Sequence, residues 1–341
     1  MFKRSIIKQL EQWKDKPDRK PLMLLGARQV GKTFVQKQFK DGDIYWPISI
    51  MKVPVILLNY NSSADCCKCV ADLKRQEGVE LEIIIVDNCS RKEDALAVEQ
   101  LAAEQGCTFI AAAENRGYNA GNNIGLRYAA EKGYVYALIA NPDMEFPQRD
   151  YVMRLVEEME ARKEVAVVAT DITSPELVHQ NPMMPDPKGW LSSFNWVKVI
   201  LKRSTKETPD FIGDYKTSHV CKKVSGCCLM VRMDFIKRIG FFDEQVFLYC
   251  EEAILSKQVE QAGLKMYYIA HFQAIHRHIK SQKGNARKRF KAWISSRLYF
   301  ERHYNYQGFW NHFMKTIGWK SYLTVFCTGD YVRSIMHRNK Q

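Results

Sequence analysis

The stretch Tyr134-Val135-Tyr136-Ala137-Leu138-Ile139-Ala140-Asn141-Pro142-Asp143-Met144-Glu145 reads as a buried strand that stops abruptly. Its first seven residues are mostly apolar, with aromatic and β-branched members, and Asn-Pro-Asp follows at once. Proline cannot donate to a ladder and disfavours helix in the residue before it, so Asp143 is predicted at the carboxyl end of the strand. Ligands of open α/β sheets bind at that edge, where a carboxylate suits a hard divalent cation carrying a diphosphate. A plain Asx-Pro turn is the alternative interpretation.

The pattern of a strand followed by a helix repeats on both sides of this stretch. Apolar runs predict strands over residues 53–60, 81–86, 107–112, 134–140 and 165–169. Helical periodicity predicts helices over residues 64–76, 93–105, 119–131 and 147–162. Because strands that alternate with helices form parallel sheets, the sequence from Met51 onward predicts an α/β fold with a doubly wound, mostly parallel sheet.

Composition restricts the class of protein. The chain has 341 residues, of which 46% are hydrophobic and 26% are charged, as in ordinary globular proteins. No apolar run approaches the roughly 18 to 20 residues that span a bilayer, and no apolar signal-peptide core follows Met1. The 10 cysteines lack the paired spacing of a zinc site. These features predict a cytoplasmic protein with free thiols.

The net charge of +13 is concentrated at the two ends of the chain. Residues 1–50 contain 11 basic and 5 acidic side chains (+6), and residues 283–341 contain 12 and 2 (+10). The middle, residues 51–282, contains 28 basic and 31 acidic side chains (−3). Basic ends favour phosphate-rich or anionic lipid surfaces, although a solvated basic face without a partner gives the same pattern. No nucleic-acid-binding motif accompanies this charge, and no nucleic-acid partner is expected.

A phosphate-binding motif lies near the N-terminus. Gly26-Ala27-Arg28-Gln29-Val30-Gly31-Lys32-Thr33 matches G-x-x-x-x-G-K-[ST] after a short predicted strand. In this motif the glycines let backbone N–H groups cradle phosphates, the lysine reaches the β- and γ-phosphates and the hydroxyl holds Mg²⁺. The residues concerned are Gly26, Gly31, Lys32 and Thr33.

Residues 1–40 resemble the opening of a family of bacterial P-loop ATPases, but no acidic metal-binding strand follows them. We therefore interpret residues 1–50 as a truncated ATPase-like extension ahead of a second domain that begins at Met51. A P-loop ATPase or regulatory module is the rival hypothesis.

Four polar loops follow predicted strands in the second domain. They are Asn59-Tyr60-Asn61, Val86-Asp87-Asn88-Cys89-Ser90, the segment from Glu114 to Gly125, and Asn141-Pro142-Asp143. The carboxyl ends of parallel strands lie along one edge of a sheet, so these loops are predicted to converge on one ligand.

These motifs resemble family 2 glycosyltransferases of the GT-A fold, of the rhamnosyltransferase-like branch. Similar enzymes carry "Y-N", "VDN-S", "EN-G-[FY]-x-x-G-N-N-x-G" and "NPD" motifs, followed by "G-F-F-D-E…F-L-Y-x-E-[DE]" and a later histidine. Here the latter motif runs from Gly240 to Glu252, and His276 follows. The resemblance covers about residues 52–305. It implies a nucleotide-sugar-binding half and an acceptor half.

The resemblance also implies roles for individual residues. The implied donor-binding residues are Asn59, Asn61, Asp87, Asn115, Gly117, Gly121 and Asn141. Asp143 and His276 are the implied ligands of Mg²⁺ or Mn²⁺, and Ser225 and Gly226 the implied acceptor side. Glu252 is the implied general base, with Glu251 as the other candidate. The family's D-x-D is here Asn141-x-Asp143, and Ile254 stands where many relatives carry an aspartate.

Each role has a structural alternative. Asp87 could cap the next helix, and the glycines could satisfy a turn. Glu251 and Glu252 could mark a plain helix N-terminus, and His276 could be a surface histidine.

The predicted domains are the extension 1–50, a transferase domain 51–282 with a variable loop at 171–219, and a basic aromatic helical tail 283–341. The resemblance implies a nucleotide-sugar donor, a UDP- or dTDP-sugar, and a lipid-linked or polysaccharide acceptor. The tail predicts peripheral contact with anionic lipid at the inner membrane face. A transferase fold without activity is a further alternative.

Overall fold

The structure, a computed structural model, describes residues 51–187, 189–197, 212–277 and 285–338. The predicted P-loop residues Gly26, Gly31, Lys32 and Thr33 lie outside these ranges, so the ATPase hypothesis stays a prediction. Residues from Lys52 onward form one compact unit.

The described ranges contain nine strands and eight α-helices. The strands are β1 (Lys52–Asn59), β2 (Glu80–Asp87), β3 (Thr108–Ala111), β4 (Tyr136–Ala140), β5 (Met144–Glu145), β6 (Val165–Thr173), β7 (His219–Cys221), β8 (Cys228–Arg232) and β9 (Lys265–His276). The helices are α1 (Ser63–Leu73), α2 (Lys92–Gln105), α3 (Tyr118–Glu131), α4 (Tyr151–Ala161), α5 (Met233–Arg238), α6 (Glu251–Gln261), α7 (Ala286–His303) and α8 (Phe309–Arg338). A 3₁₀-helix spans Trp190–Phe194.

The predicted alternation of strands and helices is present. The first four strands and β6 correspond to the five predicted strands, and α1 to α4 correspond to the four predicted helices. The ends differ by a few residues. The largest differences, four residues each, are at the start of α4 and at the end of β6, which continues to Thr173 with all nine residues buried. Residues 171–173, predicted as the start of a variable loop, therefore belong to the core.

The strands form one mixed sheet in the order β3-β2-β1-β4-β8-β6-β9-β5, with β7 also paired to β9. The first four strands in this order are parallel. Strand β8 lies antiparallel between β4 and β6, and β6 pairs in parallel with β9. The sequence pattern did not predict β8, β9 or the short strands β5 and β7. The α/β fold with a largely parallel sheet is confirmed.

Two packing patterns hold helices on this sheet. Helix α4 buries Tyr151, Val152, Leu155, Val156 and Met159, which is the spacing of one amphipathic helical face. Helix α3 lies much closer to the sheet: a Cβ added at Gly125 would stand 2.7 Å from Cγ2 of Ile56. Small residues therefore let α3 approach β1, whose carboxyl end carries Asn59.

The C-terminal helices α7 and α8 are joined by buried charges. Glu301 of α7 lies 2.7 Å from Lys315 Nζ of α8 and 3.0 Å from Arg297 Nη2 of α7. Arg297 also pairs with Asp186, which lies 2.9 Å from Lys223 Nζ. Through Asp186 and Lys223, this network links the predicted tail to the loop before Ser225. Within the described ranges, no helix combines the length and apolar character needed to cross a membrane.

Candidate active site

The carboxyl ends of β1 and β2 meet through side chains. Their parallel register places Asn59 beside Asp87, and Nδ2 of Asn59 lies 2.8 Å from Oδ1 of Asp87. Nδ2 of Asn59 is also 2.8 Å from Oδ1 of Asp94 in α2, and Oδ1 of Asn59 accepts from the backbone N of Ser62 at 3.1 Å. Asn59 is fully buried. Asn59, predicted as a donor-binding residue, thus joins three elements within the protein.

Asp87 holds the turn that follows its own strand. Its Oδ2 accepts from the backbone N of Ser90 at 3.1 Å, while Oδ1 accepts from Asn59. The side chain does not cap α2, which begins at Lys92 with Arg91 as its N-cap. Because each ionised carboxylate oxygen can accept more than one hydrogen bond, Asp87 keeps acceptor capacity for a ligand.

Asp94 was not singled out in the sequence. Burial raises the pKa of its carboxyl, but hydrogen bonds from Asn59 and from the Ser62–Ser63 segment lower the pKa by more, so the net shift is downward. Asp94 is therefore ionised at neutral pH. Its place in the first turn of α2 was the available signal.

Asn61 and Asn115 fix the loops on either side of this edge. Asn61 has φ of 56°, a left-handed conformation that asparagine tolerates, and its Oδ1 accepts from the backbone N of Arg91 at 2.9 Å. Oδ1 of Asn115 accepts from Asn88 Nδ2 at 3.1 Å and from Gly117 N at 3.0 Å. The structure therefore brings the first three predicted loops together, as the parallel register requires.

Gly117 and Gly121 each lie against another part of the described protein, where a side chain would clash. A Cβ added to Gly117, whose φ is 100°, would lie 2.2 Å from the carbonyl oxygen of Phe247. A Cβ added to Gly121 would lie 2.4 Å from Cδ1 of Leu58. These glycines let α3 approach β1 and the loop before Glu251. The expectation that they also let the backbone approach a nucleotide stays a prediction.

Tyr118 connects the metal motif to the acceptor side, and the sequence reasoning did not single it out. Its hydroxyl lies 3.0 Å from Oδ1 of Asn141 and 2.7 Å from the carbonyl oxygen of Gly226. Burial raises the pKa of this phenol, and nearby acidic groups raise it further, so the hydroxyl keeps its proton and donates. The backbone N of Asn141 donates to the Cys227 carbonyl at 2.7 Å, which closes a second link.

Asp143 and His276 come together through a two-residue strand. Strand β5 pairs antiparallel with the end of β9, with Met144 opposite His276. Nε2 of His276 then lies 3.2 Å from Oδ2 of Asp143, and Nδ1 of His276 lies 2.9 Å from Oε1 of Gln180. Burial lowers the pKa of His276, but hydrogen bonds with Asp143 and Cys227 raise it by more, to about 10. His276 is therefore not a plain surface histidine.

The geometry of this pair fits two ligands of a divalent cation. Two ligands at right angles, each about 2.1 Å from an octahedral ion, lie about 3 Å apart. The 3.2 Å between Nε2 of His276 and Oδ2 of Asp143 matches that spacing. Among the described residues, no group of three or more His, Cys, Asp and Glu side chains is placed to hold a metal. A donor diphosphate and water would complete the coordination of Mg²⁺ or Mn²⁺.

Glu251 and Glu252 begin α6 on the other side of Gly226. Oε1 of Glu251 accepts from the backbone N of Tyr249 at 2.7 Å, and Oε1 of Glu252 accepts from Gly226 N at 3.4 Å. Burial raises the pKa of Glu251, and the adjacent charge of Glu252 raises it further, to about 7. The two carboxyls therefore differ in their hydrogen bonds, and that of Glu252 joins it to the Ser225–Gly226 turn.

A small cavity lies beside this carboxylate pair. It has a volume of about 20 Å³ and its lining includes Tyr118, Ile139, Gly226, Glu251, Glu252 and Leu255. That volume holds about one water molecule, so the cavity is too small for a sugar.

The predicted acceptor-side turn is held from two directions. The backbone N of Ser225 donates to Oδ1 of Asn181 at 2.8 Å, and Oγ of Ser225 lies 3.2 Å from Sγ of Cys227. Gly226 contacts Tyr118 through its carbonyl and Glu252 through its N–H. The turn thus lies between the Asn141-Pro142-Asp143 motif and the carboxylates, and all predicted site residues from 59 to 276 lie in the described part of the chain.

Comparisons with known proteins show which proteins the chain is similar to. The family model described as Glycosyl transferase family 2 matches residues 55–240. The low-salt glycan biosynthesis hexosyltransferase Agl10 of Haloferax volcanii is 24% identical over 223 residues, which cover 65% of this chain and 66% of that protein. The rhamnosyltransferase WbbL of Escherichia coli K12 is 24% identical over 199 residues, or 57% of this chain and 72% of that protein. The chain thus spans about two thirds of the length of these relatives.

Two solved structures share the fold. One is the mannosyltransferase PcManGT from Pyrobaculum calidifontis in complex with GDP-Man and Mn²⁺, with a TM-score of 0.52, 16% identity and coverage of 93% of this chain and 76% of that chain. The other is GalNAc-T7 with UDP, GalNAc and Mn²⁺, with a TM-score of 0.53, 12% identity and coverage of 76% and 49%. The predicted GT-A fold is confirmed.

Proposed function

Since the chain belongs to glycosyl transferase family 2, we propose that it transfers a sugar from a nucleoside diphosphate sugar to a glycan or lipid-linked acceptor in cell-surface glycan synthesis. The observation that carries this proposal is the pairing of Asp143 with His276 at the strand edge that also carries Asn59 and Asp87. Glu252 lies across the Gly226 turn from this pair. A carboxylate pocket, a cation site and a second carboxylate are the groups this transfer needs.

The proposed donor is a UDP- or dTDP-sugar. The remaining acceptor capacity of Asp87 suits the imide N–H of a uracil or thymine ring. Tyr60, which follows Asn59, is half exposed and offers a ring face for stacking with a base. Asp143 and His276 would hold Mg²⁺ or Mn²⁺, which would supply positive charge for the departing diphosphate. The two similar structures are complexes that contain Mn²⁺, which supports this assignment.

The proposed transfer inverts the configuration of the anomeric carbon. Glu252 accepts the proton of the acceptor hydroxyl as that oxygen forms a bond to the anomeric carbon. The bond from that carbon to the diphosphate oxygen breaks on the opposite face, and the electron pair leaves with the nucleoside diphosphate. Glu251, with its pKa of about 7, remains the other candidate base.

Two measurements test this function. Differential scanning fluorimetry with Mn²⁺ should show a higher Tm in the presence of a UDP- or dTDP-sugar, because ligands that bind only the folded state stabilise it. Asp143→Ala and Glu252→Gln should then lower transfer at least 100-fold, and EDTA should do the same to the wild type. Wild-type transfer by either variant would contradict the proposal, and no stabilisation by any such sugar would favour an inactive transferase fold. Lys32→Ala should leave transfer unchanged, since the P-loop motif has no part in it.

We also propose that α8 rests on an anionic bilayer at the inner membrane face. Phe309, Trp310, Phe313 and Ile317 recur on one side of its first turns, and all are exposed, Trp310 by 73%. The rings of Phe309, Trp310 and Phe313 pack together with centroids 5.5 to 6.2 Å apart. Residues 285–338 contain 10 basic and 2 acidic side chains, a balance of +8. Clustered aromatics with basic charge are typical of a helix that lies in the interface.

Vesicle sedimentation tests this contact. The wild type should bind vesicles with phosphatidylglycerol at 0.15 M salt, and Trp310→Ala/Phe313→Ala should lose most of that binding. Leu177→Ala/Val178→Ala, which removes exposed apolar side chains elsewhere, is the matched control and should bind as the wild type. Equal binding by all three proteins, or a dimer that only Trp310→Ala/Phe313→Ala disrupts, would contradict the membrane proposal.

A further inference from the structure

Two adjacent residues beyond β6 contact two different parts of the candidate site. Oε1 of Gln180 lies 2.9 Å from Nδ1 of His276. Oδ1 of the next residue, Asn181, accepts from the backbone N of Ser225 at 2.8 Å. No motif marks either residue in the sequence, and both fall in the segment predicted as a variable loop. Gln180 and Asn181 thus connect the cation side of the site to the acceptor side.

The Gln180–Asn181 pair is itself fixed to the sheet. The backbone N of Gln180 donates to the carbonyl of Ile172 in β6 at 2.7 Å. Nδ2 of Asn181, which is fully buried, donates to the carbonyl of Thr170 at 2.9 Å. Two hydrogen bonds to one buried strand therefore set where the Gln180 side chain can reach.

The contact with Gln180 determines what the other nitrogen of His276 can do. A cation bound to Nε2 requires a neutral imidazole whose one proton is on Nδ1, and an acceptor beside Nδ1 favours that form. Nε2, which faces Asp143, then presents its lone pair for a cation. Without the contact the ring can rotate, and either nitrogen can carry the proton.

We propose that Gln180 is a positioning residue that orients His276 for the divalent cation, and that Asn181 anchors it. The inference rests on the proposed role of Asp143 and His276. Gln180 would act on the cation through His276, without itself contacting the donor or the acceptor. Loss of such an outer hydrogen bond typically weakens metal affinity 10- to 100-fold.

The test is a direct titration of the purified full chain with Mn²⁺ in the presence of UDP. The electron paramagnetic resonance signal of free Mn²⁺ measures how much of the cation is bound. Gln180→Leu should weaken Mn²⁺ binding about 10- to 100-fold. Gln180→Glu keeps an oxygen acceptor for Nδ1 and should bind within about threefold of the wild type. In transfer assays, Gln180→Leu should raise the Mn²⁺ concentration for half-maximal rate more than it lowers kcat at saturating Mn²⁺.

Gln273→Leu is the matched control. Gln273 lies in β9 three residues before His276, and its Nε2 donates to Oδ2 of Asp171 at 3.2 Å, so its loss removes an amide hydrogen bond that does not involve His276. Gln273→Leu should bind Mn²⁺ as the wild type does, even where its Tm falls as much as that of Gln180→Leu.

The outcomes separate this inference from the proposed function. If His276→Ala loses Mn²⁺ binding while Gln180→Leu binds as the wild type, the positioning role is wrong and the cation site stands. If the wild type and His276→Ala bind Mn²⁺ equally, the proposed cation site itself is wrong. If Gln180→Leu does not fold, Gln180→Met and Gln180→Glu replace it, and equal affinity of these two variants contradicts the positioning role.

Discussion

The hydroxyl of Tyr118 lies 3.0 Å from Oδ1 of Asn141, and it is the contact that joins α3 to the Asn141-Pro142-Asp143 motif. The same hydroxyl is 2.7 Å from the Gly226 carbonyl. The Tyr118 phenol therefore connects the proposed cation motif to the turn that contacts Glu252. It adds to the backbone link between Asn141 and Cys227.

Tyr118→Phe should lower both stability and transfer. Removing the hydroxyl deprives two oxygens of a donor, which should cost about 1 to 3 kcal/mol of unfolding free energy. Transfer should fall about 10-fold, because the cation motif and the Gly226 turn lose their common donor. Urea unfolding and initial rates with saturating donor measure the two effects.

Tyr128→Phe is the control for this variant. The Tyr128 hydroxyl donates to Glu82 Oε1 at 2.7 Å, and Glu82 lies near the amino end of β2, away from the candidate site. Tyr128→Phe should lose comparable stability and keep wild-type transfer. Equal rates for Tyr118→Phe and Tyr128→Phe would show that the Tyr118 hydroxyl has no role in the site.

Glu251→Gln should change how stability depends on pH. The pKa of Glu251 is raised from 4.5 to about 7, so its protonated form is favoured in the folded state. The stability that this raised pKa contributes is fully present below pH 4.5 and is lost as the pH rises through about 7. Glu251→Gln should therefore be more stable than the wild type above pH 7, by about 1 to 3 kcal/mol. Urea unfolding at pH 5 and pH 8 measures the difference, and a difference that does not vary with pH would contradict the shift.

Glu252→Gln distinguishes the two candidate bases. If Glu252 removes the acceptor proton, Glu252→Gln should lose about 10²- to 10⁴-fold in kcat, while Glu251→Gln keeps most of its activity. The reverse order of activities would assign the base to Glu251.

Gly117→Ala should destabilise the protein and displace the loop before α6. The φ of 100° is unfavourable for alanine, and the new Cβ would stand 2.2 Å from the Phe247 carbonyl oxygen, which belongs to fixed backbone. A loss of about 2 to 4 kcal/mol is expected from strain and the clash together. Gly106→Ala, with φ of 60° and nothing within 4 Å of the new Cβ, is the control and should cost about 1 to 2 kcal/mol. Equal losses in thermal unfolding would contradict the close approach.

Glu301→Ala should show that the C-terminal helices are part of the domain. Glu301 and Lys315 are each 1% exposed and 2.7 Å apart, so the variant leaves a buried lysine without its carboxylate. A loss of about 3 to 5 kcal/mol is expected. The exposed pair of Arg149 and Glu77, 3.0 Å apart, is the control, and Arg149→Ala should cost under about 1 kcal/mol. Wild-type stability of Glu301→Ala would indicate that α7 and α8 contribute little to the fold.

Local sequence patterns predict the parts of the site that lie at neighbouring ends of parallel strands. Apolar runs that end in Asn59, Asp87 and Asn141 defined the strand ends, and parallel pairing must bring such ends to one edge. Local periodicity therefore predicted the first loops and their convergence. The same local signals predicted α1 to α4.

The contacts between distant segments depend on the tertiary structure, and no local sequence pattern predicts them. Asp143 meets His276 because β5 pairs with β9, and a two-residue strand leaves no periodic signal. Gln180 reaches His276 because the segment after β6 folds back along it, and Gly117 is required by the Phe247 carbonyl more than a hundred residues later in the chain. Long-range pairing of this kind depends on the packing of the whole sheet, which local propensity does not encode.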